Sequence, residues 1–254
     1  MNSAPDLGSI EWSMSTGGRL EAYERRRLVA DLVSVHLGNA AGRLSTLVHL
    51  NSGRHARIAP ERLLPPDSAL TCAAEDVAIR HLPTTLLNHS YRTYTFGMAL
   101  GELEQLDVDA ELLFAAAMLH DTGLTLTSGP DDFTLASARL ASGVAERVGL
   151  STSATGTLQT AITMHHNPRV TRTAGTIPYL LSAGAGVDVV GLRSWELPSE
   201  VVATAVHEHP RDAFKEYFAR AWKAEAARVP RGRARLLRRY GAFTAAIWLA
   251  PFPE

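Results

Sequence analysis

Cysteine is almost missing from this chain: Cys72 stands alone, so no intrachain disulfide can form and no thiolate cluster can hold a metal. Any metal site must be built from nitrogen and oxygen, and a reducing compartment is favoured. An excess of charge of either sign is also lacking, with 25 Lys and Arg against 26 Asp and Glu. Without an overall field to draw in polyanions, neither nucleic acid nor a membrane surface is expected as a partner. No apolar run reaches the roughly 18 residues of a spanning helix. The opening stretch MNSAPDLGSIEW has no basic region followed by an apolar core, as a secretion signal would. The expectation is a soluble, cytoplasmic protein. Alternating strand ladders and glycine-rich phosphate loops are absent too, which leaves helices.

What is present is a large apolar fraction, 46% of 254 residues, enough for one sizeable core. Residues 1–60 read as an N-terminal extension with packing helices over 20–37 and Ala40–Leu50. The loop Asn51–Asp67, with Pro60, Pro65 and Pro66, separates it from a catalytic domain over 61–254, the two forming one compact unit. Helix follows helix from there. Pro83 suits a first helical position, further helices span Asp131–Gly149, Thr157–Asn167 and Asp212–Ala227, and Pro178 opens another. The apolar stretch FTAAIWLAPF is expected to pack back onto the core or a partner. Homo-oligomerisation is left open.

Residues 110–119 are apolar or small on nearly every face apart from Glu111, the pattern of a helix buried all round. Asp109 suits its N-cap and Gly123 a left-handed stop. This rod ends in His120 and Asp121, titratable groups that cost several kcal/mol when buried without compensation. Helical spacing turns three more polar groups inward: His89 with Leu86 and Phe96, His165 with Leu158 and Ile162, and Asp188 with Leu181 and Ala185. His89, His120, Asp121 and Asp188 would hold one divalent transition metal, zinc first, with iron or manganese as alternatives. The competing reading makes each a hydrogen-bonded core residue. His165 then serves as a general acid/base, a polariser of substrate or a core histidine, and His166 falls nearby or on the surface. Arg92 reaches the pocket mouth to hold substrate, or is solvated. The arginines of 228–239 read as a solvated face.

In order along the chain, LLNHSYRTYTFG, AAAMLHDTGLT, AITMHHNP, LLSAGAGVDVVG and HPRDAFKEYF resemble the HD superfamily of metal-dependent hydrolases, in the branch that includes cyanamide hydratase. The resemblance covers roughly Pro83 to Val229. It implies an all-α helical bundle of the HD-domain type, with the H…HD…D ligands at His89, His120, Asp121 and Asp188. It differs from dinuclear relatives in having no His between residues 122 and 164. Phosphohydrolase and oxygenase relatives often carry Lys three residues after the Asp of the pair, where this chain has Leu124. The implied function is a hydratase or hydrolase that adds metal-activated water to a small nitrile-like or C–N substrate, with Asp121 and His165 as its catalytic residues. The alternatives are an HD-type phosphohydrolase using Arg92 and Arg169 or Arg172, and a non-catalytic HD-fold binding protein.

Overall fold

A computed structural model describes residues 5–126 and 129–254. Its helices are α1 (Ile10–Thr16), α2 (Ala22–Leu47), α3 (Ala69–His81), α4 (Thr84–Leu103), α5 (Ala110–Leu119), α6 (Gly123–Leu126) and α7 (Phe133–Val148). They continue with α8 (Thr152–Met164), α9 (Thr176–Val190), α10 (Ser199–Glu208), α11 (Phe214–Arg228), α12 (Arg233–Tyr240) and α13 (Phe243–Trp248). Among the described residues there is no strand, and Arg19 and Gly232 form an isolated bridge. The all-α expectation holds.

The apolar rod is the axis of the bundle. Every residue of α5 from Leu112 to Leu119 is buried, with α3, α4, α7, α8 and α9 packed around it. Asp109 caps it as expected, accepting from the Leu112 N–H at 2.9 Å, which satisfies one of the otherwise unpaired donors of the first turn. Alongside, α4 and α9 meet at unusually short range: a Cβ on Gly184 would lie 2.2 Å from Thr93 O. Only glycine permits that approach, and it places the His89-bearing and Asp188-bearing helices face to face.

Several expectations are corrected. The two helices expected over 20–37 and Ala40–Leu50 are one, α2, which runs unbroken through Gly38. A glycine inside an exposed helix costs only about 1 kcal/mol. A capping box of Glu21 with Glu24 anchors its start, and the buried Glu24 also accepts from Trp12 Nε1 at 2.7 Å. Pro83 is the N-cap of α4 rather than its first residue. Gly123 is not a left-handed stop, for α5 ends at His120 in right-handed helical conformation. Gly123 instead is small because a Cβ would fall 1.9 Å from Phe133 O. α8 starts at Thr152, ahead of Thr157, because Ser151 caps it. FTAAIWLAPF does return to the core, with Ile247 buried and Phe252 stacked over Phe96. Among the described residues, no helix is long and apolar enough to cross a membrane.

Candidate metal centre

His120 sits at the C-terminal end of α5, where its Nδ1 lies 2.7 Å from Ala117 O. A carbonyl only accepts, so the proton is on Nδ1 and Nε2 carries a lone pair. The same logic applies to His165 at the end of α8, whose Nδ1 faces Ile162 O at 2.7 Å. His89 on α4 donates from Nδ1 to Asp188 Oδ2, also at 2.7 Å. Three imidazoles are thus fixed in one tautomer by three acceptors behind them, leaving three Nε2 lone pairs turned toward Asp121.

Those lone pairs converge. His120 Nε2 lies 3.2 Å from His89 Nε2, a contact that is repulsive between two unprotonated nitrogens unless a cation lies between. Asp121 Oδ2 is 3.4 Å from His120 Nε2 and 3.6 Å from His89 Nε2, and Oδ1 is 3.5 Å from His165 Nε2. Both Asp121 oxygens are buried without a hydrogen-bond partner, which is costly for a carboxylate unless positive charge is supplied. Ligand atoms of His89, His120 and Asp121 all fall within 4.8 Å of one another. Burial drives the His120 imidazole down to about 3, with His165 and His89 adding to the effect and Asp121 opposing it. Burial alone would raise Asp121, but His120, His165 and His89 hold it below the usual carboxylate range. Imidazole nitrogens around a buried carboxylate are the donor set a divalent transition metal takes.

Asp188, expected in that set, is placed elsewhere. Its Oδ2 accepts from His89 Nδ1 and from Arg92 Nη2 at 2.9 Å, and its Oδ1 from Arg92 Nε at 2.8 Å and Arg211 Nη1 at 2.5 Å. It lies behind the His89 ring, away from the free Nε2. Burial would raise its pKa, but Arg92, Arg211 and His89 keep it well below the carboxylate range. Arg92 is corrected too: it is fully buried and its remaining donors go to the carbonyls of His209 and Pro210. It does not reach a pocket mouth. Arg211 was not singled out by the sequence, although it stands in the HPRDAF segment; a fully buried arginine has no periodic signature.

A second set lies next to the first. His166, expected near the site or exposed, is buried, with Nε2 3.3 Å from Asp132 Oδ2. The same carboxylate oxygen takes Arg233 at 3.3 Å. The arginine run is therefore not a uniformly solvated face: Arg233 is fully buried, while Arg228 binds Glu225 and Arg231 binds Glu21. Burial and Arg233 lower His166 to about 4, with Asp132 opposing.

One cavity, of about 110 Å³, opens onto both sets. His89, His120, Asp121, His165 and His166 are among its lining residues, with Asn167, Ser182, His36 and Asn39 as its other polar groups, and no Lys or Arg lines it. Arg169 and Arg172 line a separate surface cavity, and Arg172 is tied to Glu104.

The HD domain family model matches residues 86–239, more than half of the chain, and the chain belongs to that family, whose members are typically metal-dependent hydrolases. No curated protein matches the chain.

Proposed function

We propose that this HD-family protein is a mononuclear, metal-dependent hydratase or hydrolase that adds water to a neutral C–N substrate, in the branch that includes cyanamide hydratase. The observation that carries the reading is the cavity at the His89–His120–Asp121 cluster, which lacks any Lys or Arg. A phosphoester would arrive there with one or two negative charges and meet no Lys or Arg on the cavity wall to receive them.

The residues suited to hold the ion are His89, His120 and Asp121, whose ligand atoms lie within 4.8 Å of one another, with His165, 3.5 Å from Asp121, as a fourth. A divalent transition metal held there would supply Lewis acidity and lower the pKa of coordinated water toward about 7. The chain does the rest by position. Asp188, held by Arg92 and Arg211, keeps the proton of His89 on Nδ1, and the Ala117 and Ile162 carbonyls do so for His120 and His165. Such outer partners orient the rings and raise their basicity. Phe214 stacks on His89 at 4.9 Å and closes that side against water. His166, whose nitrogens lack a well-aligned partner, is placed at the cavity to hydrogen-bond the polar head of a substrate.

The test is turnover by the metal-loaded protein on cyanamide, a panel of organic nitriles and a panel of phosphoesters. The reading expects urea or amide to appear, one water consumed per bond hydrated. Phosphate release with no nitrile turnover would contradict it and favour the phosphohydrolase alternative.

A further inference from the structure

Beyond the His89–His120–Asp121 cluster the cavity wall is mostly aliphatic and aromatic, interrupted by His36, Asn39, Asn167 and Ser182. α9 contributes Ala185, Val189 and Val190, and α11 contributes Phe218 and Trp222. The facing wall is built by Leu32 and Val35 of α2 and Phe243 and Ala246 of α13. These last four residues lie outside residues 86–239, so segments added to the HD core build the far side of the site. The volume also exceeds what a small head needs. A water requires roughly 10–15 Å³ of such space, so about 110 Å³ accommodates on the order of eight water-sized groups, well beyond the N–C–N skeleton of cyanamide. An apolar surface of this extent beside a metal cluster gains nothing from a substrate that is polar throughout.

We infer that the substrate is a neutral molecule with an apolar tail, its reactive C–N group at the His89–His120–Asp121 cluster and its tail between α9 and the wall made by α2 and α13. This rests on the metal-site reading above for its head, and on the wall residues alone for its tail. Val35 and Ala246 become specificity-determining positions, because a larger side chain at either shortens the tail space without touching the polar end.

Unbranched alkyl hydroxamic acids separate the two parts, since the head chelates a metal and the tail varies. Isothermal titration of the metal-loaded protein with aceto-, butano-, hexano- and octanohydroxamic acid should show affinity rising roughly three- to fourfold per added CH₂ through the hexano member. In Val35→Trp, and independently in Ala246→Phe, the hexano member should lose its advantage over the aceto member. Both positions are partly exposed, and far-ultraviolet circular dichroism confirms that each variant is folded. Binding that is equally tight across the series in wild type would overturn the tail assignment while leaving the metal reading standing. A slope unchanged in both variants would likewise overturn it. No binding by any member, acetohydroxamic acid included, would overturn the metal reading and the inference with it.

Discussion

Asp188 Oδ2 lies 2.7 Å from His89 Nδ1, on the far side of the ring from the free nitrogen. The family motif reads these two residues as neighbours on one ion; here they are arranged in series, carboxylate to imidazole to site. With Arg92 donating to both of its oxygens and Arg211 to Oδ1, Asp188 has a full set of donors and little capacity left for a metal. His165 Nε2 lies 3.5 Å from Asp121 Oδ1, beside the His89–His120–Asp121 cluster, and is the proposed fourth ligand.

Asp188→Asn should therefore weaken the site without deleting it. The amide oxygen can still accept from His89, but two buried guanidinium groups lose their counter-charge. Chelator competition should show metal affinity lowered by about 10- to 100-fold, and unfolding should show a loss of roughly 3 kcal/mol. Complete loss of the ion in a fully folded variant would instead make Asp188 a ligand.

Arg92→Ala should act on stability rather than on substrate affinity. Its guanidinium is buried between Asp188 and the His209 and Pro210 carbonyls, so truncation leaves those acceptors unsatisfied at a cost on the order of 3 kcal/mol. Denaturant unfolding measures that loss. A variant of wild-type stability whose only defect is a raised KM would return Arg92 to substrate binding.

Gly184→Ala tests the close contact of α4 with α9. The added methyl would meet Thr93 O at 2.2 Å, and the helices must separate, at a cost of about 1–3 kcal/mol. Because His89 and Asp188 ride on those helices, the melting temperature and the metal affinity should fall together. Unchanged values for both would mean the backbone yields without disturbing the site.

Much of this site was legible in the sequence, for a physical reason. His89, His120, Asp121 and His165 stand on apolar helical stripes, and period alone turns them inward. What period cannot supply is which atom faces which. Asp188 also lies on an inward stripe, yet its side relative to His89 depends on how α4 crosses α9, which Gly184 sets through space. Arg92 reads as a substrate contact or a solvated group and Arg211 leaves no trace, because a buried arginine cannot be told from a solvated one until its carboxylate partner is known. Arg233 was missed likewise, its partner Asp132 lying about a hundred residues away in sequence. Gly123 misled, because it marks a tight contact with Phe133 where a turn was expected.

The metal-free protein should lose stability as the medium becomes acid. His120 at about 3 and His166 at about 4 both lie below the ordinary imidazole value near 6.5, so the unfolded chain takes up their protons first. Their contribution is whole above pH 6.5 and is lost as pH falls toward 4 and then 3, on the order of 1 kcal/mol per pH unit for each group. Melting of chelator-treated protein from pH 8 to 5 should show the decline, shallower in His166→Gln. A melting temperature independent of pH in that range would contradict the buried, neutral state of these rings.

Metal content per chain in His165→Ala, set against wild type purified alongside it, tests the site most directly. Wild type should carry close to one equivalent of a divalent transition metal by elemental analysis, because the ligand atoms of His89, His120 and Asp121 lie within 4.8 Å of one another, with His165 Nε2 3.5 Å from Asp121 Oδ1 as the proposed fourth. The variant should retain less than about a tenth of that after dialysis. One full equivalent retained by a folded His165→Ala protein would contradict the assignment of His165 as a ligand, and two equivalents in wild type would contradict the mononuclear site.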